Sequence, residues 1–251
     1  MVTTAVTPEP APAPISSIGR VFGVFFTPRQ TFADIARRPN WLVPLLLMTA
    51  ISLALSFAIN ARVDWSRITE ERIEESRFAS SRIDQLPPDQ RQQVIDRQAS
   101  GAKVTRYVRG AIGTACLAII LAAVYLAVFN LVGGAGASFR LSFSLVNYAM
   151  LPIALKELLG IPILFLKDPA TIDPDNFLAS NPAAILSGIP AWEKVLLGSL
   201  DLFSLWSALL VAVAFSAANP KKVSFGKALA LVAFVYFGLT LLFTGLIAPF
   251  S

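Results

Sequence analysis

Five stretches of apolar residues, each 19 to 26 long, divide this chain: 41–59, 111–132, 141–166, 195–216 and 228–248. A helix rises about 1.5 Å per residue, so each stretch reaches about 30 Å, the thickness of a bilayer's hydrocarbon core. The pattern predicts an all-α polytopic integral membrane protein: five transmembrane helices with an amphipathic N-terminal lead-in. Ahead of the spans, 1–14 (MVTTAVTPEPAPAP) is proline-rich without apolar periodicity and reads as a disordered tail. It lacks the basic start of a signal peptide, and the apolar cluster 21–26 is too short for that role. Within 15–40, Ile18, Val21, Phe22 and Phe25 recur with helical spacing, giving a helix too short to span. Thr27-Pro28-Arg29-Gln30 reads as a capping box that opens a second short helix ending near Arg38. Both are expected in the headgroup layer, with Arg20, Arg29, Arg37 and Arg38 reaching phosphates.

The polar loop 60–110 separates spans one and two, and carries ten Lys+Arg against eight Asp+Glu. Arginine followed by an apolar residue recurs at Arg67-Ile68, Arg72-Ile73, Arg77-Phe78 and Arg82-Ile83. A five-residue step turns about 140° on a helix, so these pairs form no single stripe. A solvated helix with local ion pairs is expected, broken at Leu86-Pro87-Pro88-Asp89 and followed by a second helix. Span two has alanines four apart (Ala118 and Ala122, Ala123 and Ala127), which permit close helix approach. Gly133-Gly134-Ala135-Gly136 makes a turn, flanked by Asn130 and Asn147, where interfacial hydrogen bonding is expected. Connection 167–194 holds Asp173-Pro174 and Asn181-Pro182, each a cap followed by a first-turn proline. In span four, Ser204, Ala208, Ala212 and Ser216 form a smooth packing ridge. Trp41 and Trp192 suit the membrane interface.

Composition agrees with the pattern. The chain is 55% hydrophobic and 15% charged, which leaves too little polar surface for a soluble domain of this size. Its net charge of +5 suits an anionic membrane surface, because the basic residues flank spans and build no nucleic-acid module. Histidine is absent, so serine-protease and zinc-peptidase chemistry lack their partner residue. An intramembrane aspartyl pair would need two aspartates at depth, and Asp201 alone qualifies. Cys116 is the single cysteine, which excludes an intrachain disulfide, and no phosphate-cradling G-x-x-x-x-G-K occurs. No enzyme activity, cofactor, metal or nucleic-acid partner is expected. The partners are the lipid bilayer and a membrane protein or a second copy.

Charge leaves the sidedness open. Arg140, Lys221, Lys222 and Lys227 mark the two tight turns as cytoplasmic, together with the N-terminus. Yet that side totals eight basic residues and the other twelve.

Span three is the centre of the pattern. It contains the adjacent charges Lys156-Glu157 and the prolines Pro152 and Pro162, each of which frees a backbone carbonyl. Asp201 lies seven residues inside span four, from the end that faces the Leu166 end of span three. A Lys156–Asp201 pair is within reach. Lys156, Glu157 and Asp201 thus form a candidate intramembrane polar cluster, either an interhelical ion pair fixing register or a proton or solute relay. Five spans without an internal repeat weigh against a transporter or permease subunit, the alternative function.

A glycine-rich turn, then Ser138-Phe139-Arg140, then Tyr148-x-x-Leu151-Pro152 in an apolar helix resembles the Yip family, the Ypt/Rab-interacting-protein domain. Phe26-Thr27-Pro28, the run Ala36-Arg37-Arg38-Pro39-Asn40-Trp41, and Asp201-Leu202-Phe203-Ser204-Leu205-Trp206 follow the same order, the last as in prokaryotic members. The resemblance covers roughly 22–243. It implies a cytosolic N-terminus, residence in a prokaryotic cytoplasmic membrane, and membrane organisation or partner recruitment without catalysis. The long 60–110 loop and short tail depart from the eukaryotic pattern, so GTPase binding is not carried over.

Overall fold

A computed structural model describes residues 14–75, 81, 83–186 and 188–247. The proline-rich tail (except Pro14) and Arg77, Phe78 and Arg82 of the arginine repeat lie outside these residues. The helices are α1 (Ser17–Phe26), α2 (Pro28–Arg37), α3 (Leu42–Arg62), α4 (Trp65–Glu75) and α5 (Pro88–Val108). A π-turn, Arg109–Gly113, joins α5 to α6 (Thr114–Leu131). There follow α7 (Phe139–Ala149), α8 (Leu151–Leu166), α9 (Ala191–Ser199), α10 (Leu202–Ala218) and α11 (Phe225–Ile247). Among the described residues there is no strand. Four segments are long and apolar enough to cross a membrane; α9 and α10, bent by 50°, make a fifth if taken as one span. The protein is an all-α polytopic membrane protein.

Three spans differ in detail from the expectation. Span two is the end of one helical run, 88–131, because nothing between polar α5 and apolar α6 breaks the backbone. Span three divides at Met150, where Pro152 sits in the first turn of α8 and removes an amide donor. Span four is two helices. Leu200 and Asp201 leave helical geometry, so Asp201 caps α10 and is not a mid-helix residue.

The lead-in packs on the bundle. Val24, Phe32 and Ile35 are fully buried and join the core with Phe129, Leu145, Tyr148 and Phe215. Arg20 does not reach phosphates: it is 4% exposed. Its Nε donates to Asp34 at 2.8 Å and its Nη1 to the Arg38 carbonyl at 3.0 Å. Nor does Thr27 close a capping box. Its hydroxyl turns back to the Gly23 carbonyl, and α2 starts without a side-chain cap.

Elsewhere the small residues sort by face. Ala118 and Ala122 are buried, and the Ala122 carbonyl accepts from Ser142 at 2.7 Å; Ala123 and Ala127 face outward. In the ridge of span four, Ala212 and Ser216 are buried. Phe129 and Phe215 stack with centroids 4.0 Å apart, joining α6 to α10. The two tight turns lie side by side: Asn219 donates to Ala135 at 2.8 Å and Lys227 to Gly133 at 3.1 Å. Asn130 exchanges two hydrogen bonds with Ala137 across the first turn, whereas Asn147 bonds back to Phe143 in its own helix.

The polar loop is a packed hairpin of α4 and α5. Among the described residues Arg67–Glu71 and Arg91–Asp84 are its local ion pairs, as the charge pattern suggests. Ile68 and Ile73 are nonetheless buried, in separate clusters, because one helix face meets the bundle and another meets α5.

Candidate functional site

Asp201 is 2% exposed, and four donors converge on its carboxylate. One oxygen accepts from the Ser204 amide at 2.9 Å and the Ser204 hydroxyl at 3.1 Å. The other accepts from Lys156 Nζ at 2.7 Å and from the Ser180 hydroxyl. Residue 201 therefore carries a helix cap, an interhelical ion pair and a tether to the 167–190 connection. The tether has further strands. The Ser180 carbonyl accepts from Leu202, Lys167 donates to Phe177, and Arg72 pairs with Asp175 at 2.7 Å. Phe177 lies so close to α8 that a Cβ on Gly160 would stand 2.2 Å from its ring.

Glu157 does not join this pair. One residue on from Lys156, its side chain points about 100° away around α8, as consecutive helical positions must. It accepts from Ser52 at 2.5 Å. Thr114 donates to the same Ser52 hydroxyl at 3.3 Å, so three helices meet there. A cavity of about 430 Å³ opens beside them, lined by Met48, Ser56, Arg106, Arg109 and Met150 among others. The π-turn borders it at Gly110, where a Cβ would stand 2.5 Å from the Ser56 hydroxyl and 2.9 Å from the Ser52 carbonyl. Such turns are frequent at functional sites. Ser52, Ser56 and Thr114 are residues that sequence reasoning passed over. Their signal was the four-residue step Ser52, Ser56, Asn60 down one face of α3, whose polar groups meet Thr114, Arg106 and Lys103.

Two further cavities flank the bundle. One of about 560 Å³ is lined by Lys156 together with Arg67, Arg72 and Lys194. The other, of about 470 Å³, is an apolar cleft containing Tyr125, Ser207 and Tyr236. Asp201 lines none of the three. Among the described residues no group of acidic or cysteine side chains is placed to hold a metal ion.

The residues of the family-like motif lie around the lead-in. Tyr148 is fully buried with its ring under α1 and α2, and its hydroxyl stands near Arg20 without a hydrogen bond of ordinary geometry. Leu151 and Pro152 are buried beneath it at the break in span three. Trp206 meets Phe25 edge to face at 5.5 Å, and Trp41 meets Phe143 at 5.3 Å. The motif thus joins α1 and α2 to the spans. No curated protein and no solved structure matches the chain. The family model for the Yip1 domain matches residues 22–247, from α1 to the end of α11. With nearly the whole chain matched, this protein belongs to the Yip1-domain family.

Proposed function

We propose that this protein organises the membrane around it, without catalysis, through the helical hairpin α1–α2 that its spans hold in place. The observation that carries the reading is the outer edge of α1. Ile18, Phe22 and Phe26 stand four residues apart and are 68%, 62% and 81% exposed, while the opposite face of the same helix is core. An edge of large apolar side chains in water is costly, and in the headgroup layer it is favourable. Leu42 and Leu46, exposed at the start of α3, put adjoining apolar surface at the level where the first span enters. Arg29, Arg37 and Arg38 are exposed on or beside α2 and suit anionic headgroups. The hairpin is a rigid wedge because Arg20, Asp34 and Tyr148 hold it, and a wedge in one leaflet favours curvature or collects partners at curved sites. The N-terminus is cytoplasmic in this reading, and the membrane is the cytoplasmic membrane of a prokaryote.

The Lys156–Asp201 pair serves here as a lock. Its saturated, inaccessible carboxylate supports a register-fixing role over a relay. The test is reconstitution of the full chain and of Phe22→Ser/Phe26→Ser into vesicles of uniform size, imaged by cryo-microscopy. The intact chain should narrow or elongate vesicles in proportion to protein, and the double variant should leave them round. Unchanged vesicles with the intact chain, together with a solute flux lost in Asp201→Asn, would favour a transporter instead.

A further inference from the structure

Four charged groups line the 430 Å³ cavity, and one of them, Asp175, is paired with Arg72. Among the described residues no ion pair engages Glu157, Arg106 or Arg109. Glu157 and Arg106 are half-buried and Arg109 is exposed, and a charge at membrane depth is retained where something receives it. Their placement is polar along one axis. Glu157 sits with Ser52 and Thr114 about halfway down α3, and Arg109 and Arg106 lie closer to the α4–α5 hairpin. Arg109 opens the π-turn Arg109–Gly113 that leads into Thr114. A ligand with a short-linked anion and cation matches this order of charges, its anion towards the arginines and its cation towards Glu157.

The geometry points to a site for a zwitterionic amine–phosphate group of the phosphoethanolamine type. The two guanidinium groups take the phosphate at the mouth, where planar forked donors suit its oxygens. The Glu157 carboxylate takes the ammonium at the bottom. Recognition there selects a primary amine, because the Glu157 carboxylate accepts N–H donors and a trimethylammonium has none. Met48, Leu55, Leu117, Met150 and Ile153 make an apolar part of the wall beside Ser56 and Asp175 and give room for the start of an acyl chain. Val104, Val108 and Ile112 are exposed on the same helical run, so the mouth opens where the outer surface becomes apolar. Phospholipid and free phosphoethanolamine share this chemistry. The site is separate from the α1 edge, so its failure leaves the function proposed above standing.

The experiment is native mass spectrometry of the full chain taken from vesicles with equal parts ethanolamine, choline and glycerol phospholipid. The intact protein should retain the ethanolamine lipid at least tenfold over either other. Glu157→Gln, which keeps a partner for Ser52, should bring retention down to the choline level. Arg106→Gln/Arg109→Gln should lose bound phospholipid of every kind. In parallel, free phosphoethanolamine is added to the delipidated intact protein. A rise in melting temperature matching that given by the lipid assigns the site to the soluble compound, and retention without such a rise assigns it to the membrane. Equal retention of all three lipids with no response to phosphoethanolamine overturns the proposal, and needs no variant to fold. So does a preference that Glu157→Gln leaves intact.

Discussion

Lys156 and Asp201 meet at 2.7 Å across 45 positions of sequence, while Glu157, the neighbour of Lys156, meets Ser52 on another helix. A buried ion pair contributes little net stability, yet removing one partner strands the other at a cost of about 3–5 kcal/mol. Lys156→Met should therefore lower the melting temperature sharply in detergent. Adding Asp201→Asn to it should recover much of the loss, because asparagine still caps α10 and carries no stranded charge. A double variant no more stable than the single one would show that the pair is not a simple lock.

Gly160 and Phe177 give a second expectation. A methyl group at 160 would collide with the ring of Phe177 at 2.2 Å, so the 167–190 connection must lift or α8 must bend. Overpacking of this kind costs about 1–3 kcal/mol. Gly160→Ala should make the connection more sensitive to limited proteolysis, and Phe177→Leu in the same chain should restore protection. Cleavage unchanged by Gly160→Ala would mean that the connection is not seated on α8.

The spans were legible because apolar length is a direct consequence of bilayer thickness, and no other constraint produces runs such as 41–59. Sequence put Lys156 and Asp201 within reach of each other, and what it could not give was that Glu157 turns away to Ser52. Lys156 and Glu157 are adjacent as letters, and only helix rotation separates them onto different partners. The break at Asp201 was hidden too, because Leu200 and Leu202 are apolar and hydropathy does not register a cap. Arg20 looked like a headgroup ligand by its position beside an apolar helix. Asp34, fourteen residues on, turns it inward, and that fold-back of α2 on α1 has no local signature.

Tyr148 provides a test of the lead-in. Its hydroxyl is buried and makes no hydrogen bond of ordinary geometry, a state that costs stability. Tyr148→Phe keeps the ring that packs under the hairpin and removes the isolated oxygen. Its melting temperature should match or slightly exceed that of the intact chain. Arg20→Ala should behave oppositely, leaving Asp34 without its partner and freeing α1 for cleavage near residue 27. A large loss in Tyr148→Phe would show that the oxygen has a partner, with Arg20 and Ser17 the neighbouring donors.

The bent pair α9–α10 decides the number of crossings. If the two helices together make one span, the 167–190 connection and the turn before α11 face opposite sides of the membrane. If they form a re-entrant element, both face the same side. The connection pairs with α4 through Arg72 and Asp175, so it must share a side with the polar hairpin. In a Cys116→Ser background, single cysteines at Gly101, Thr171 and Ser224 occupy exposed positions on the hairpin, the connection and the turn. A membrane-impermeant maleimide applied to sealed, oriented vesicles should label the first two from one side and Ser224→Cys only from the other. Labelling of all three from a single side would reduce the crossings to four and make Asp201 the hinge of a re-entrant loop.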